Sequence, residues 1–206
     1  LEVRIVPAAE RFTCLVADVT ARREAERARH AVEERLAFLL KLTDTLRTLS
    51  DSAEIQRAAM KVVGEHLQVD RVLYAEFDRD GREYTILDNY VAPGVGPRVG
   101  RFPTGVYPTM LQSFARGETS VIPDMQRTTL MSDPEKAAAV ADGLLAAVGV
   151  PLLEAGRLVA QLSVQQLRPR AWTAAEVAIL QETAERTWAA IERARAYAPH
   201  TSRIEC

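Results

Sequence analysis

The longest stretch dominated by apolar residues covers positions 144–166. Two β-rich runs within it are separated by residues 154–157, a short turn that contains a glycine, and this order predicts a β-hairpin. The second run alternates between an apolar face (Leu158, Ala160, Leu162, Val164) and a polar face (Gln161, Ser163, Gln165). Such a strand is half-buried, and its polar face meets solvent or a ligand cavity. The hairpin is therefore predicted to form the centre of an antiparallel sheet.

Residues 21–49 contain neither glycine nor proline and predict one long helix, which Asp18 or Thr20 can cap. Positions that step by four and three form a heptad seam, and the seam residues are Ala25, Ala28, Val32, Leu39, Leu42 and Leu46. Arg35 also falls on this line. The seam favours a parallel two-stranded coil in a homodimer, above all for the N-terminal half. The alternative is a surface helix that lies on its own domain.

The remaining pattern predicts shorter elements. Alternating runs predict strands at 1–6, 12–17, 71–77, 84–91 and 119–122. Helical spacing and capping residues predict helices at 53–66 with Ser52 as N-cap, at 107–116, after Ser132, and from Thr173 to about 196 with Glu176 in a capping box. Residues 92–109 are rich in proline and glycine and predict a long irregular segment, which is usually functional.

This order predicts an α+β fold. We expect an antiparallel sheet with long helices on one face and with short helices and loops on the other, preceded by a long signalling helix.

Composition and charge narrow the classes of function. The chain has 206 residues, a net charge of −2 and a pI near 6.0, so no electrostatic feature favours nucleic acid. No apolar run reaches the roughly 18 residues that a membrane span needs. The two cysteines, Cys14 and Cys206, fit a reducing cytoplasm and do not form a disulfide framework.

Several motifs carry a resemblance to a known family. They are Asp70-Arg71-Val72, Ala115-Arg116-Gly117-Glu118, Ile122-Pro123-Asp124, Gly149-Val150-Pro151-Leu152, Gly156-Arg157-Leu158 and Pro169-Arg170-Ala171-Trp172-Thr173. With these motifs, residues 36–196 resemble a GAF domain, and the run from Ala184 to Arg195 resembles those of bacterial sensor histidine kinases. Residues 1–20 resemble the last strands of a PAS domain. Residues 21–50 then form the connecting coiled-coil helix, and residues 197–206 are a tail.

The resemblance implies a piece of a cytoplasmic PAS–GAF sensor kinase in a two-component system. We expect a regulatory sensor module that binds a small molecule or relays a signal through dimeric helices to a histidine kinase output. The alternatives are a ligand-free dimerisation and transmission domain and a bilin-binding photoreceptor domain. The expected partners are a second copy of the chain, the kinase domain and a small molecule, without nucleic acid or membrane.

The sequence offers little chemistry of its own. No catalytic constellation and no metal-ligand spacing is visible, and His30 lacks the neighbours of a phosphoacceptor histidine, so we expect no enzyme activity in this chain. No cysteine occurs between residues 15 and 205, and no histidine between 67 and 199. We therefore expect neither a covalent bilin nor a histidine-ligated haem, and the identity of any cofactor stays open. The cyclic-nucleotide signature and the cysteines of methionine-sulfoxide reductases are also absent.

A ligand pocket is still expected on the sheet face opposite the long helices, because an apolar cavity with a few convergent polar groups is how small-molecule sites are built. The predicted ligand-binding residues are Tyr74, Asp88, Tyr90, Tyr107, Phe114, Asp124, Gln161, Ser163 and Gln165. Each has an alternative role: Asp124 can brace its own loop, and the Gln and Ser side chains can face solvent.

Overall fold

The structure is a computed structural model that describes residues 2–8, 11–17 and 20–197, with side chains described from residue 20 onward except that of Arg27. The chain divides into two compact units, residues 1–38 and 39–206. In the first unit, strands β1 (Glu2–Ala8) and β2 (Arg11–Ala17) pair antiparallel, as the alternation predicts. Helix α1 (Thr20–Arg47) follows. The predicted cap Asp18, the side chain of Cys14 and the tail beyond Tyr197 lie outside this description.

The two halves of α1 differ in burial. Ala25, Ala28 and Val32 are exposed, whereas Leu42 and Leu46 are buried within the single chain, at 0% and 3% exposure. Leu39 is buried as well, and Thr43 accepts a hydrogen bond of 3.0 Å from Arg186. The C-terminal part of α1 therefore lies on its own domain, which was the alternative to a continuous seam.

The second unit contains the predicted antiparallel sheet. Its strands are β3 (Arg71–Phe77), β4 (Glu83–Ile86), β5 (Asn89–Val91), β6 (Gly100–Pro103), β7 (Ser120–Ile122), β8 (Ala146–Glu154) and β9 (Arg157–Gln166). They are arranged in the order β6-β4-β3-β9-β8-β7, and β5 also pairs with β3. The β8–β9 hairpin occupies the centre, as predicted, and turns at Ala155 and Gly156, both with positive φ.

Two long helices cover one face of the sheet. They are α2 (Ser52–Leu67) and α5 (Ala174–Tyr197), which pack on each other, on β3 and on the central hairpin. Thr173 and Glu176 form the predicted capping box of α5. The N-cap of α2 is Asp51 rather than the predicted Ser52, because the carboxylate of Asp51 accepts the Glu54 amide at 2.9 Å. Among the described residues no helix is long and apolar enough to cross a membrane.

Short helices α3 (Pro108–Ala115) and α4 (Asp133–Ala141) and their connecting segments cover the opposite face. Glu135 ties the two helices together, since its buried carboxylate accepts the amides of Thr109, Met110 and Ser132. The segment predicted as irregular contains β6 and a short 3-10 helix (Thr104–Val106). Backbone pairing of β6 with β4 recruits residues whose sequence carries no strand pattern.

Two strand predictions need correction. The run predicted as one strand over 84–91 is divided into β4 and β5, because β4 pairs with the end of β3 and β5 with its beginning. The chain leaves the sheet between them at Leu87 and Asp88. In β9 the alternation breaks at Leu158: the pairing shifts between Leu152 and Leu153, and this bulge turns Leu158 toward the α3–α4 side.

Candidate functional site

A mostly apolar cavity lies between the sheet and the covering helices α3 and α4. Strand alternation places Leu73 and Ala75 of β3 and Gln161, Ser163 and Gln165 of β9 on its floor. The apolar wall is completed by a set of buried side chains, namely Ile86, Met110, Phe114, Ile122, Met125 and Met131. The polar face of β9 therefore lines this cavity instead of facing bulk solvent.

The cavity measures about 90 Å³. On a scale where one water molecule needs roughly 10–15 Å³, this space suits several waters or one small organic molecule. Gly149 allows close packing beside the cavity, because a Cβ there would lie 2.7 Å from the Phe114 ring and 2.9 Å from the Ser120 hydroxyl. Phe114 thus packs directly on the backbone of β8.

Charged side chains gather at one end of the cavity. Arg71 is 7% exposed, and it donates from Nη1 to Gln165 Oε1 and from Nη2 to the Gly96 carbonyl, each at 3.1 Å. Arg98 forms an ion pair with Asp142 and stacks on Phe102 at 4.7 Å. An outer depression is lined by the same Arg71, Arg98 and Asp142, so these three residues lie where the cavity meets the surface.

Burial acts on both arginines at this end, but their pKa values shift in opposite directions. Desolvation lowers the pKa of Arg71, and repulsion by Arg98 acts in the same direction against the attraction of Asp142 and Asp70. Burial also disfavours the charge of Arg98, but hydrogen bonds with Tyr84 and Asp142 outweigh it and raise the pKa of that guanidinium. The lining residues thus include two cations and a single carboxylate.

Five of the nine predicted ligand-binding residues line the cavity: Tyr107, Phe114, Gln161, Ser163 and Gln165. Burial raises the pKa of the Tyr107 hydroxyl.

The other four are elsewhere. Tyr74 lies on the helix face of β3, where it is fully buried. Asp88 pairs with Arg57 at 2.7 Å, and Asp124 accepts the Gln126 amide within its own loop, which was its alternative role. Tyr90 packs over Gly64 of α2: a Cβ on that glycine would lie 2.2 Å from the ring.

Sequence reasoning missed Arg71, Arg98, Asp142 and the three cavity methionines. A signal for Arg71 was present, because it shares the parity of Leu73 and Ala75 on β3 and pairs with Gln165 across the strands. Arg98 and Asp142 are far apart in sequence and lie in a loop and at a helix end, so no local pattern joins them. Among the described residues no group of three or more His, Cys, Asp or Glu side chains could hold a metal ion.

Comparison with known proteins agrees with this architecture. The sequence model of the GAF domain family matches residues 51–191, more than half of the chain. No curated protein matches the sequence at a significant level.

Solved structures share the fold at low identity. The chain is similar to the chromophore-binding domain of an unusual bacteriophytochrome from R. palustris, with a TM-score of 0.72 and 16% identity over 81% of this chain. It spans 64% of that domain's length.

Free methionine-R-sulfoxide reductase from Neisseria meningitidis gives a TM-score of 0.63 and 19% identity, covering 80% of this chain and 92% of the reductase. The blue-light absorbing PixJ GAF domain of Thermosynechococcus elongatus gives a TM-score of 0.61 and 19% identity, covering 71% of this chain and 88% of that domain.

Proposed function

Because the chain belongs to the GAF domain family, whose model matches residues 51–191, we propose that this sensor domain binds a small molecule in the cavity beneath α3 and α4. One observation carries the proposal: a mostly apolar cavity has a buried arginine and a row of polar side chains on its floor. This combination of apolar walls and a few convergent polar groups is typical of small-molecule sites. In a packed core without a ligand, a buried guanidinium with only part of its hydrogen bonds formed would reduce stability.

Strand β3 offers a route from the cavity to helix α5. Arg71 at one end of the strand lines the cavity, and Glu76 near the other end accepts two hydrogen bonds of 2.7 Å from Arg195 in the last turns of α5. Gln56 of α2 donates to the same carboxylate at 2.6 Å. We infer that ligand binding shifts α5 between two conformational states through β3. The size of this shift is limited by the difference in the ligand's affinity for those two states.

The relay has a direct test in hydrogen exchange. Glu76→Gln weakens the pair with Arg195, so amide exchange in residues 192–197 is expected to accelerate. The control is Glu185→Gln, which changes an exposed carboxylate on the same helix. Equal exchange in the two variants would contradict a connection between β3 and the end of α5.

We further propose the signalling context that the sequence resemblance implies: a PAS-derived N-terminal segment, a homodimer and a histidine kinase output in a cytoplasmic two-component protein. An exposed apolar row on α1 supports the homodimer, since Val32, Leu36 and Leu40 are 55%, 55% and 67% exposed. In this context the chain itself is a regulator without catalytic activity. The alternative is a transmission element that uses the same helices without any ligand.

A bilin photoreceptor is the second candidate, favoured by the structural likeness and by the two arginines, which could pair with the propionates of a tetrapyrrole. The lining residues fit a covalently attached bilin poorly, because they include neither cysteine nor histidine. The cavity of about 90 Å³ is also several times too small for a tetrapyrrole, so α3, α4 and their connections would have to move outward. Any bilin here would be held without a thioether bond to a cavity residue.

Native mass spectrometry of the purified chain tests ligand binding. We expect extra mass from a retained compound, or saturable uptake of a compound from a mixture of small organic molecules. Ala75→Leu fills the cavity and should abolish both, whereas Ala137→Leu places the same side chain on the exposed face of α4 and should not. A wild-type chain that neither retains nor takes up any compound would contradict the proposal and favour the ligand-free transmission element.

A further inference from the structure

The guanidinium of Arg71 is incompletely satisfied. Its side chain is more than nine-tenths buried and lines the cavity, and both of its described acceptors are neutral, Gln165 and the Gly96 carbonyl. Its Nε–H is buried and has no hydrogen-bond partner among the described residues. Buried arginines are normally paired with a carboxylate, because an unpaired charge in a low-dielectric interior is costly.

The nearby carboxylates are already engaged. Asp142 forms its ion pair with Arg98, and Asp70 accepts the Leu167 amide at 2.8 Å. Both carboxylates attract Arg71 at longer range, but desolvation and the neighbouring Arg98 prevail and lower its pKa. One positive charge, at the end where the cavity meets the surface, therefore lacks a direct counter-ion within the described part of the chain.

The rest of the cavity suits an apolar body. Leu73 packs with Ala75 and Ile86 on the sheet, and Met110, Phe114 and Met125 line the cavity from the covering side. Methionine side chains adapt to ligands of different outline. A compact apolar or aromatic group attached to an anionic head fits this distribution of charge and surface.

We propose that the cavity binds a small monocarboxylate with a compact apolar or aromatic body, and that Arg71 receives the carboxylate. This inference rests on the proposed function, since it names the chemical class of the ligand for the same cavity. Arg98 keeps its pair with Asp142, so the site prefers one negative charge over two. A carboxylate on Arg71 gains charge-assisted hydrogen bonds and removes an uncompensated buried charge.

Matched pairs of probes test the charge requirement without any mutation. Titration calorimetry compares benzoate with benzamide and isovalerate with isovaleramide, because each pair has nearly the same shape but a different charge. We expect the acid of at least one pair to bind about tenfold or more tightly than its amide, the scale of one charge-assisted hydrogen bond. Arg71→Gln should remove this preference, whereas Arg101→Gln, at an exposed position on β6, should keep it.

The outcomes separate the two claims. Equal affinity of acids and amides in the wild type, or a preference that survives in Arg71→Gln, would overturn the carboxylate inference and leave a ligand-binding cavity intact. No binding of any probe, together with no retained mass, would overturn the proposed function itself. Thermal unfolding shows whether Arg71→Gln is folded, and the wild-type pairs decide the question if it is not.

A bilin carries carboxylates of its own, so biliverdin binding is a further experiment on the same residue. Its binding is followed by visible absorption in the wild type and in Arg71→Gln. If benzoate displaces bound biliverdin, and if Arg71→Gln no longer binds biliverdin, then Arg71 anchors a carboxylate of the tetrapyrrole. Biliverdin binding that is unaffected by Arg71→Gln would count against Arg71 as the anchor.

Discussion

The carboxylate of Glu135 is predicted to hold the roof of the cavity together. Its Oε1 accepts the amides of Thr109 at 2.7 Å and Met110 at 3.3 Å, at the start of α3. Its Oε2 accepts the amide and hydroxyl of Ser132 at 2.7 and 2.6 Å, at the start of α4. The side chain is 1% exposed, so water cannot replace these bonds. Burial acts to raise the pKa of Glu135, but hydrogen bonds from Ser132, Thr109 and Met110 outweigh it and lower that pKa.

Glu135→Gln keeps the side-chain volume but turns one acceptor oxygen into an NH2 group that faces N–H donors. One strong hydrogen bond to a charged group and one weaker bond are then lost, which corresponds to roughly 2–4 kcal/mol of unfolding free energy. Urea unfolding followed by tryptophan fluorescence measures this loss, since Trp172 and Trp188 both lie in the larger unit. Asp133→Asn is the control in the same helical turn: the Asp133 side chain is 93% exposed, so the loss of its ion pair with Lys136 should change the midpoint much less.

The pH dependence gives a second check on the same residue. Because the folded-state pKa of Glu135 is lowered, its stabilisation is present above the ordinary glutamate pKa of about 4.3 and is lost as pH falls through the folded-state value. The difference in stability between wild type and Glu135→Gln should therefore be full at pH 7 and shrink in acid. A loss below about 0.5 kcal/mol, or equal effects of Glu135→Gln and Asp133→Asn, would refute the reasoning.

Two further substitutions test other parts of the fold. Gly64→Ala should lower the free energy of unfolding, because the new Cβ would lie 2.2 Å from the Tyr90 ring and the overpacking cost of roughly 1–3 kcal/mol exceeds the gain in helix propensity. Gly105→Ala, with open space around it, is the control in the same urea titration. Val32→Glu combined with Leu36→Glu should give monomers by light scattering without a loss of thermal stability, and a double variant that stays dimeric would contradict the α1 interface.

Much of the fold follows from the pattern of apolar residues. The β8–β9 hairpin, the capping box of α5 and the separation of long and short helices on opposite faces are local or periodic features, and the structure has them all. The failures have physical causes. β6 arises from pairing with β4 and not from its own sequence, and the bulge in β9, opposite Leu152 and Leu153, reverses the face that Leu158 occupies.

The candidate site was predictable where it follows strand parity and where the covering segment supplies aromatic residues, Tyr107 and Phe114. Gln161, Ser163 and Gln165 were found because their alternation fixes one face of β9. Tyr74 was misplaced because parity was not applied to β3, where it lies opposite Arg71. The Arg98–Asp142 pair and the four bonds of Glu135 join segments distant in sequence, and periodicity carries no information about such contacts.

The distribution of methionines allows the central claim to be measured directly. Of the four methionines in the chain, Met110, Met125 and Met131 line the cavity, whereas Met60 is buried in α2 and does not. We would label the methionine methyl groups with ¹³C and titrate the protein in separate NMR experiments with benzoate and with isovalerate. Saturable shifts of the three cavity methyl signals with at least one of the two acids, with Met60 changed least, are the predicted result. Spectra in which no methyl signal moves with either acid, or in which Met60 moves most, would contradict a carboxylate-binding cavity beneath α3 and α4.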